Sequence, residues 1–433
     1  CCPTGFAKRK TNEMITLLPL LVSLSVWQQP EPEQLWTRRS ETGSIVSLDI
    51  VSRKYSAEGK PDVWLIGVVH IGEQSFYDDV ASLLEEMDIV LYESVRPTGS
   101  RPPSGLTTQE RVNSTEKALA FVADTAKRCA EETSTMPLQL EDVVREAALL
   151  DRRLAGFVAD ASTDAWGRPF VIQIDESTKT ITLMSLGSDG KVGGKGAASD
   201  LTERRVVRFR KDSSKTDKAN EKNVQQELAD ALGLEFQLDS LSYESQNWFC
   251  SDLTMGEVEA KLIEQGADAS LLEAITGESF SAQIATGMMK LIPMLDSLTG
   301  GGIKETAKLL MIEILSMAGS DQMLEGIQPE LAQVIIVDRN TELLRDLAAT
   351  IGIAEDLSTI GVLYGAGHMP DLSKRLHAEF GYAPVEDRWF ESMAVDPRAS
   401  LLSEKDLKRM KVMLQYQLYK ARQKLEKENE SAE

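Results

Sequence analysis

The amino-acid sequence predicts an α/β (α+β) core with a helical subdomain, interrupted by a small inserted α+β domain. Three observations support this fold class. A strand, a helix and a second strand follow one another at 62–95, and a stretch rich in Pro, Gly and Ser then ends the pattern at 96–106. Much later in the chain, at IGVLYGAGH, an apolar run with the composition of a strand returns. We therefore predict an insert at 105–218.

The composition is that of an ordinary globular protein with more than one domain. The chain has 433 residues, of which 42% are hydrophobic and 27% charged. Its formal net charge of −21 would repel a phosphate backbone, so we expect no nucleic-acid partner. The four cysteines, at positions 1, 2, 129 and 250, include no C-x-x-C pair, so we predict no disulfide framework.

Residues 1–43 are predicted to be a signal-like or anchor segment followed by a linker. A basic tripeptide at 8–10 precedes an apolar run at 15–26, and Ser23 and Ser25 are small enough to precede a cleavage site. This pattern predicts an exported protein that is periplasmic or associated with the cell envelope, with membrane association only through the N-terminus. The alternative is a buried N-terminal helix.

Residues 44–104 are predicted to form the first part of the core. SIVSLDIV and DVWLIGVV have the composition of strands, QSFYDDVASLLEEMD that of a helix, and IVLYESV that of a further strand. The last three form a parallel βαβ unit. This unit places His70 and Glu93 at the carboxyl ends of strands, which is the edge where open α/β sheets bind ligands.

The predicted insert, 105–218, differs from the core in its pattern. TTQERVNSTEKALAFVADTAKRCAEE and LEDVVREAALLDRRL are predicted helices, FVIQID and TITLMSL are short strands, and SDGKVGGKGAASDL is a Gly-rich loop. The basic run ERRVVRFRKDSSKTDK is interpreted as a solvated strand and linker, with an anionic-ligand site as the alternative.

Residues 219–395 are predicted to be the second part of the core. The regions 255–275 and 281–318 are helical with Met-rich faces, which we assign to core packing. AQVIIVD and IGVLYGAG are predicted strands, and 396–433 is a charged C-terminal helix.

Four residues at the ends of predicted strands, His70, Glu93, Arg339 and His368, would meet at one sheet edge. Two imidazoles and a carboxylate suit a divalent transition metal (Mn, Co, Fe or Zn), which can acidify a bound water for hydrolysis. Arg339 would stabilise developing negative charge. A glycine three residues before each histidine would let the backbone approach the site. The alternative is a pair of hydrogen-bonded structural histidines.

The motifs GVVH and GAGH, the strand end LYES with Glu93 and the stretch VDRN with Arg339 resemble the TraB/PrgY/Tiki superfamily. The likeness spans 44–95 and 224–385, and includes LGLEFQLDSLSYESQNWFCSDLTMGEVE before the second motif. The resemblance implies an α/β fold and a metal-dependent hydrolase of the peptidase kind, with a peptide or small-molecule substrate. It assigns Glu93 and Arg339 to catalysis.

The insert resembles a different family. DAWGRPFVIQI and LGSDGKVGGKGAASDL are similar to the C-terminal domain of the type II secretion major pseudopilin, although no long apolar pilin helix precedes them. That resemblance implies calcium bound by Asp189 and Asp200 with backbone carbonyls such as that of Leu186. The alternative is a surface loop without metal. We expect Asp164 to fix a turn.

Two functions follow from these patterns. The leading prediction is a metal-dependent hydrolase that carries a calcium-binding pseudopilin-like module. The alternative is a non-catalytic binding or assembly protein of the envelope or type II secretion machinery, in which the insert contacts envelope or secretion proteins. The first requires His70, Glu93 and His368 to converge on one point.

Overall fold

The computed structural model describes residues 35–209, 229, 232–266, 303–318, 329–353 and 357–400, with a few single positions after 400. These residues form a mixed α+β structure with several sheets, which confirms the α+β class. The predicted signal-like run at 15–26 and most of the charged helix predicted at 396–433 lie outside the described residues.

A large mixed sheet forms the centre of the fold, with the strand order β1-β2-β3-β11-β5-β10 and with β12 also paired to β2. Two smaller sheets join β4 to β9 and β6 to β7 and β8. The strands are β1 Thr37–Thr42, β2 Ile45–Ser56, β3 Asp62–Val68, β4 Ile71–Gly72, β5 Ile89–Tyr92, β6 Val171–Asp175, β7 Thr180–Ser185, β8 Leu201–Val206, β9 Glu235–Phe236, β10 Trp248–Cys250, β11 Thr359–Gly365 and β12 Ala383–Val395.

Helices cover the sheets and carry several of the candidate residues. The described α-helices are α1 Gln74–Leu84, α2 Thr108–Thr133, α3 Leu140–Leu150, α4 Arg152–Asp160, α5 Gln237–Ser240, α6 Met255–Glu264, α7 Ile303–Ala318, α8 Pro329–Ala332, α9 Arg339–Ile353 and α10 Met369–Phe380. The described parts of the two predicted Met-rich regions are helical, as α6 and α7.

The predicted parallel unit of strand, helix and strand is present, but its two strands are not neighbours. β11 lies between β3 and β5 and pairs with both in parallel. β3 is therefore enclosed within the sheet, and Val63 to Val68 are buried on both faces, as a continuous apolar run predicts. The carboxyl ends of three parallel strands consequently lie side by side.

The segment AQVIIVD before Arg339 is helical, so the strand predicted there is wrong. It contains the last residue of α8 and a π-helical turn at Gln333–Asp338, which leads directly into α9. Leu331 and Val334 are three residues apart and pack in one cluster with Val258 and Leu262 of α6. This packing of one helix face outweighs the preference of β-branched residues for strands.

The insert has its own apolar cluster, in which α2, α3 and α4 pack against the antiparallel sheet β6-β7-β8. The predicted strands FVIQID and TITLMSL correspond to β6 and β7. The insert boundaries at 105 and 218 stay a prediction.

The stretch 96–106, interpreted from its Pro, Gly and Ser content as a linker, is partly buried. Arg96 is 6% exposed, and its Nη2 atom donates to Asp160 of α4 at 2.6 Å and to the Ser100 carbonyl at 2.7 Å. Arg153, just inside α4, donates from Nη1 to the Ser94 hydroxyl at 3.0 Å. A buried guanidinium must find acceptors, and these acceptors tie the insert to the core.

Candidate functional site

Three of the four residues predicted to meet are in contact at the carboxyl edge of the large sheet, and the fourth, His70, lies just beyond the end of the neighbouring strand β3. Glu93 directly follows β5, and His368 ends a short 3-10 turn after β11. Arg339 is the first residue of α9, and His70 lies between β3 and β4. The side chains of Glu93, Arg339 and His368 are in direct contact, and His70 interacts electrostatically with all three.

Arg339 lies at the centre of the site and is held by two carboxylates. It is only 6% exposed, and its Nη2 atom donates to Glu93 Oε1 at 2.7 Å. Nε donates to Asp252 Oδ1 at 2.9 Å and Nη2 to Asp252 Oδ2 at 2.6 Å, which is the bidentate geometry that a guanidinium favours. Sequence reasoning missed Asp252, although it lies in the stretch CSDLTMGEVE that resembles the TraB superfamily.

Glu93 uses both carboxylate oxygens. Oε1 accepts from Arg339, while Oε2 accepts from the Gly365 backbone N–H at 2.6 Å. Burial alone would raise the pKa of Glu93, but the Arg339 guanidinium, His368 and His70 together outweigh it and hold that pKa well below its ordinary value. Glu93 is therefore a charged acceptor throughout the neutral pH range.

The two glycines of the G-x-x-H motifs have different roles. A Cβ atom on Gly365 would lie 3.2 Å from Glu93 Oε2, so this glycine does allow the backbone to approach the site. A Cβ atom on Gly67 would instead meet Ile50 and the Val51 carbonyl at 3.2 Å, within the sheet. The expectation that both glycines open the site holds for Gly365 and is wrong for Gly67.

His368 is buried and held at both ring nitrogens. Nδ1 lies 2.8 Å from Asn340 Oδ1, and Nε2 lies 3.5 Å from Glu93 Oε1 and 3.5 Å from Arg339 Nη1. The ring also meets Tyr364 edge-on, with centroids 5.2 Å apart. Asn340 was not predicted from the sequence, although it directly follows Arg339 in the quoted stretch VDRN.

His70 is half-buried and electrically neutral near neutral pH. Burial lowers the pKa of its imidazole, and Arg339 and His368 act in the same direction, against Glu93 and the Gln237 side chain. The His70 carbonyl accepts from the Gln237 backbone N–H at 2.9 Å, which ties the end of β3 to α5. A neutral imidazole of this kind can act as a base or a metal ligand.

The donor set fits a transition metal in part. Glu93 Oε1 and His368 Nε2 are 3.5 Å apart. Two ligands of a tetrahedral ion with bonds of about 2.1 Å are about 3.4 Å apart, so this pair is spaced to share an ion. Across the described part of the chain, however, no group of three or more His, Cys, Asp or Glu side chains is placed to hold one. The predicted set of His70, Glu93 and His368 stays a prediction.

The Gly-rich loop of the insert contains an unusual carboxylate. Asp189 Oδ1 accepts from the Lys191 N–H at 3.0 Å, and Asp200 Oδ2 accepts from the Gly193 N–H at 2.9 Å. Asp200 Oδ1 is buried without a hydrogen-bond partner among the described residues. A cation would satisfy this oxygen, so the loop chemistry fits calcium, with the carbonyl of Leu186 at the start of the same loop.

A glycine fixes the backbone of this loop, and an aspartate fixes the turn at 164–168, whose Arg168 side chain donates to the Gly187 carbonyl at 2.8 Å. At Gly194 φ is +91°, and a Cβ atom there would lie 2.1 Å from the Ala198 carbonyl oxygen. Asp164 accepts from the backbone N–H groups of Trp166 at 3.0 Å and Arg168 at 2.9 Å, and from the Ser185 hydroxyl at 2.8 Å. The prediction that Asp164 fixes a turn is confirmed.

Comparison with known proteins identifies one segment of the chain. Residues 108–204 match the family model for type II secretion system protein G, which confirms the resemblance of the insert to a pseudopilin. Neither the curated proteins nor the solved structures gave a significant match. None of the described helices is long and apolar enough to cross a membrane. The resemblance to the TraB/PrgY/Tiki superfamily stays a prediction.

Proposed function

We propose that the protein is a binding or assembly protein of the type II secretion machinery or the cell envelope, whose insert contacts secretion proteins. The match of residues 108–204 to type II secretion system protein G carries this proposal. Such a partner implies a periplasmic or envelope location.

The attachment of the insert supports a role in assembly. Arg96 and Ser94, which follow Glu93 at the end of β5, bond to Asp160 and Arg153 at the two ends of α4. These contacts cross the boundary between the insert and the core and are partly buried. A partner bound to the insert would therefore be held close to the sheet edge that carries Glu93.

Binding to a secretion component tests this proposal directly. The probe is the purified head domain of a type II secretion major pseudopilin, titrated into the full chain by calorimetry with calcium and with chelator. We expect saturable binding that calcium strengthens and that Asp189→Asn with Asp200→Asn weakens, while circular dichroism shows an unchanged fold. Absence of binding in both conditions would overturn the proposal.

A second candidate function is a metal-dependent hydrolase of the TraB/Tiki type acting on a peptide or a small molecule. The convergence of His70, Glu93, Arg339 and His368 at one sheet edge favours it. In this function Glu93 and the two histidines would hold Mn, Co, Fe or Zn, whose chemistry is to activate water. Arg339 would stabilise negative charge on the substrate.

Metal analysis and a peptide-library assay test the hydrolase. The full chain is loaded separately with each of the four metals, and cleavage is measured with and without chelator. We expect one bound ion for each chain and cleavage that the chelator abolishes. His377→Ala is the control, because His377 is bonded to the Tyr382 carbonyl at 2.8 Å and lies outside the contacts of the site. A chain that binds none of these metals would leave only the binding and assembly function.

A further inference from the structure

The amide of Asn340 has only one orientation that satisfies its neighbours. Its Nδ2 atom lies 3.2 Å from the His368 carbonyl oxygen and 2.8 Å from Asp371 Oδ2, and both of these atoms are acceptors. Nδ2 must therefore be the amide nitrogen, and the atom that faces His368 Nδ1 at 2.8 Å is the oxygen Oδ1. Asn340 is fully buried, so water cannot replace any of these bonds.

This orientation determines which nitrogen of His368 carries the proton. Oδ1 of Asn340 accepts only, so His368 Nδ1 must donate and carries the hydrogen. In the neutral ring, Nε2 is then left with its lone pair, directed at the space shared with Glu93 Oε1 and Arg339 Nη1.

We infer that Asn340 and Asp371 are positioning residues that hold His368 in the Nδ1–H tautomer and present the Nε2 lone pair to the site. The functional part of this inference rests on the proposed hydrolase function. Asp371 holds the Asn340 amide, the amide holds the imidazole, and the imidazole offers an acceptor beside the Glu93 carboxylate.

The opposite tautomer would change the chemistry of the site. With a proton on Nε2, His368 would donate to Glu93 Oε1 across the 3.5 Å that separates them, and the space between them would be closed to a cation or to the proton of a substrate. With the proton on Nδ1, two acceptors face the same space. This arrangement suits a ligand that brings positive charge or a hydrogen-bond donor.

The sequence places both positioning residues inside the motifs that carry the site. Asn340 directly follows Arg339 at the start of α9, and Asp371 lies three residues after His368 in the first turn of α10. Each of the two stretches thus supplies one functional side chain and one positioning residue.

Nitrogen chemical shifts of histidine test the inference without any assay of activity. The chain has three histidines, so ¹⁵N-histidine labelling gives three ring systems, and His368→Gln identifies the one of interest. At about pH 8, where an ordinary imidazole is neutral, long-range ¹H–¹⁵N correlation spectra separate a protonated from an unprotonated ring nitrogen. We expect a protonated Nδ1 and an unprotonated Nε2 for His368 in the wild-type chain.

Substitutions of Asn340 and Asp371 distinguish a role in positioning His368 from a role in folding. Asn340→Leu and Asp371→Leu should move the His368 signals toward a protonated Nε2, whereas Asp371→Asn, which can still offer an acceptor oxygen, should restore the wild-type pattern. Thr350→Ala is the matched control, because Thr350 lies on the same helix α9 and its hydroxyl donates to the Asp346 carbonyl at 2.9 Å, within the helix. Its spectrum should not change.

Failure of the tautomer inference can be distinguished from failure of the proposed hydrolase function. A wild-type His368 with protonated Nε2, or with two protonated nitrogens, would overturn the inference even if Asn340→Leu fails to fold. If the tautomer is as inferred and responds to Asn340→Leu and Asp371→Leu, while no metal binds and no peptide is cleaved, positioning stands and the hydrolase function falls. Where cleavage is present, Asp371→Leu should lower it about 10–100-fold, and an unchanged rate would overturn the functional part.

Discussion

The Asp252 carboxylate accepts two hydrogen bonds from the Arg339 guanidinium, from Nε at 2.9 Å and from Nη2 at 2.6 Å. Because Glu93 also accepts from Nη2, one buried and one half-buried carboxylate share one buried cation. Two carboxylates beside one guanidinium leave these three side chains with a net charge of one unit negative. The arrangement holds the guanidinium in one orientation beside His368 and leaves the site attractive to a cation.

Removal of Asp252 should be strongly destabilising. Asp252→Ala leaves a buried guanidinium with one carboxylate partner, and loss of one partner of a buried pair costs about 3–5 kcal/mol. Asp252→Asn, which keeps an acceptor, should cost less. Urea unfolding followed by circular dichroism measures both changes. Glu86→Ala is the control, because its pair with Arg388 is exposed and its loss should cost about 0–1 kcal/mol. Equal losses for the two Ala variants would contradict the prediction.

Arg339→Lys should separate binding from turnover in the hydrolase function. A lysine keeps one positive charge but cannot bridge Glu93 and Asp252 with a planar fork. We expect unchanged metal content and a fall in kcat of about 10²–10³-fold. Arg345→Lys, an exposed position on the same helix, should leave kcat unchanged. A kcat for Arg339→Lys close to that of the wild type would exclude charge stabilisation by the guanidinium.

Replacement of each predicted metal ligand should lower the metal content of the chain. The accompanying loss of stability should differ from one ligand to the next. His368→Ala leaves the buried Asn340 oxygen unpaired and should cost about 1–3 kcal/mol in the metal-free chain, whereas half-buried His70 should cost less when replaced. Glu93→Gln keeps the shape and removes the charge. Metal analysis and thermal melts of each variant check these expectations. Normal metal content in all three variants would show that the histidines are structural.

Glu146 should make the insert less stable as pH rises. Its Oε2 atom is buried without a hydrogen-bond partner in the described structure, and burial, with Asp142 acting in the same direction, raises the pKa of the carboxyl. The folded chain therefore holds this proton at pH values where the unfolded chain has lost it. Stability is greatest below the ordinary glutamate pKa and falls as pH rises through the raised pKa of the folded state.

The variant Glu146→Gln tests this relationship. It should raise the stability at neutral pH by about 1 kcal/mol and flatten the pH dependence, because the amide needs no proton to be neutral. Thermal melts between acid and neutral pH measure the effect. Glu141→Gln, exposed on the same helix α3, is the matched control and should change little. A steeper dependence in Glu146→Gln than in the wild type would contradict the assignment.

Calcium should raise the melting temperature of the insert. An ion that binds only the folded loop stabilises it by mass action, and the unpaired Asp200 Oδ1 atom offers a ligand. Asp189→Ala with Asp200→Ala should abolish the shift. Asp175→Asn, in an exposed turn of the same domain, should retain it. Identical melts with millimolar calcium and with chelator would leave the loop without a metal.

Local pattern was sufficient for much of the fold. The buried strands around DVWLIGVV and IGVLYG were predictable because continuous apolar runs between polar turns fit the interior of a sheet. The same reasoning was wrong for AQVIIVD, because a short apolar run is compatible with either a strand or a buried helix. Packing of Leu331 and Val334 against α6 decided between them.

The sequence by itself determined the strand ends that carry His70, Glu93 and His368, and the turn that Asp164 fixes, because these features depend on residues close together in the chain. Only the tertiary structure decided what surrounds them. Asp252 reaches Arg339 across 87 positions and Asn340 reaches His368 across 28, and no local pattern links such partners. They meet because a buried guanidinium and a buried imidazole require acceptors, and the folded chain brings those acceptors from distant segments.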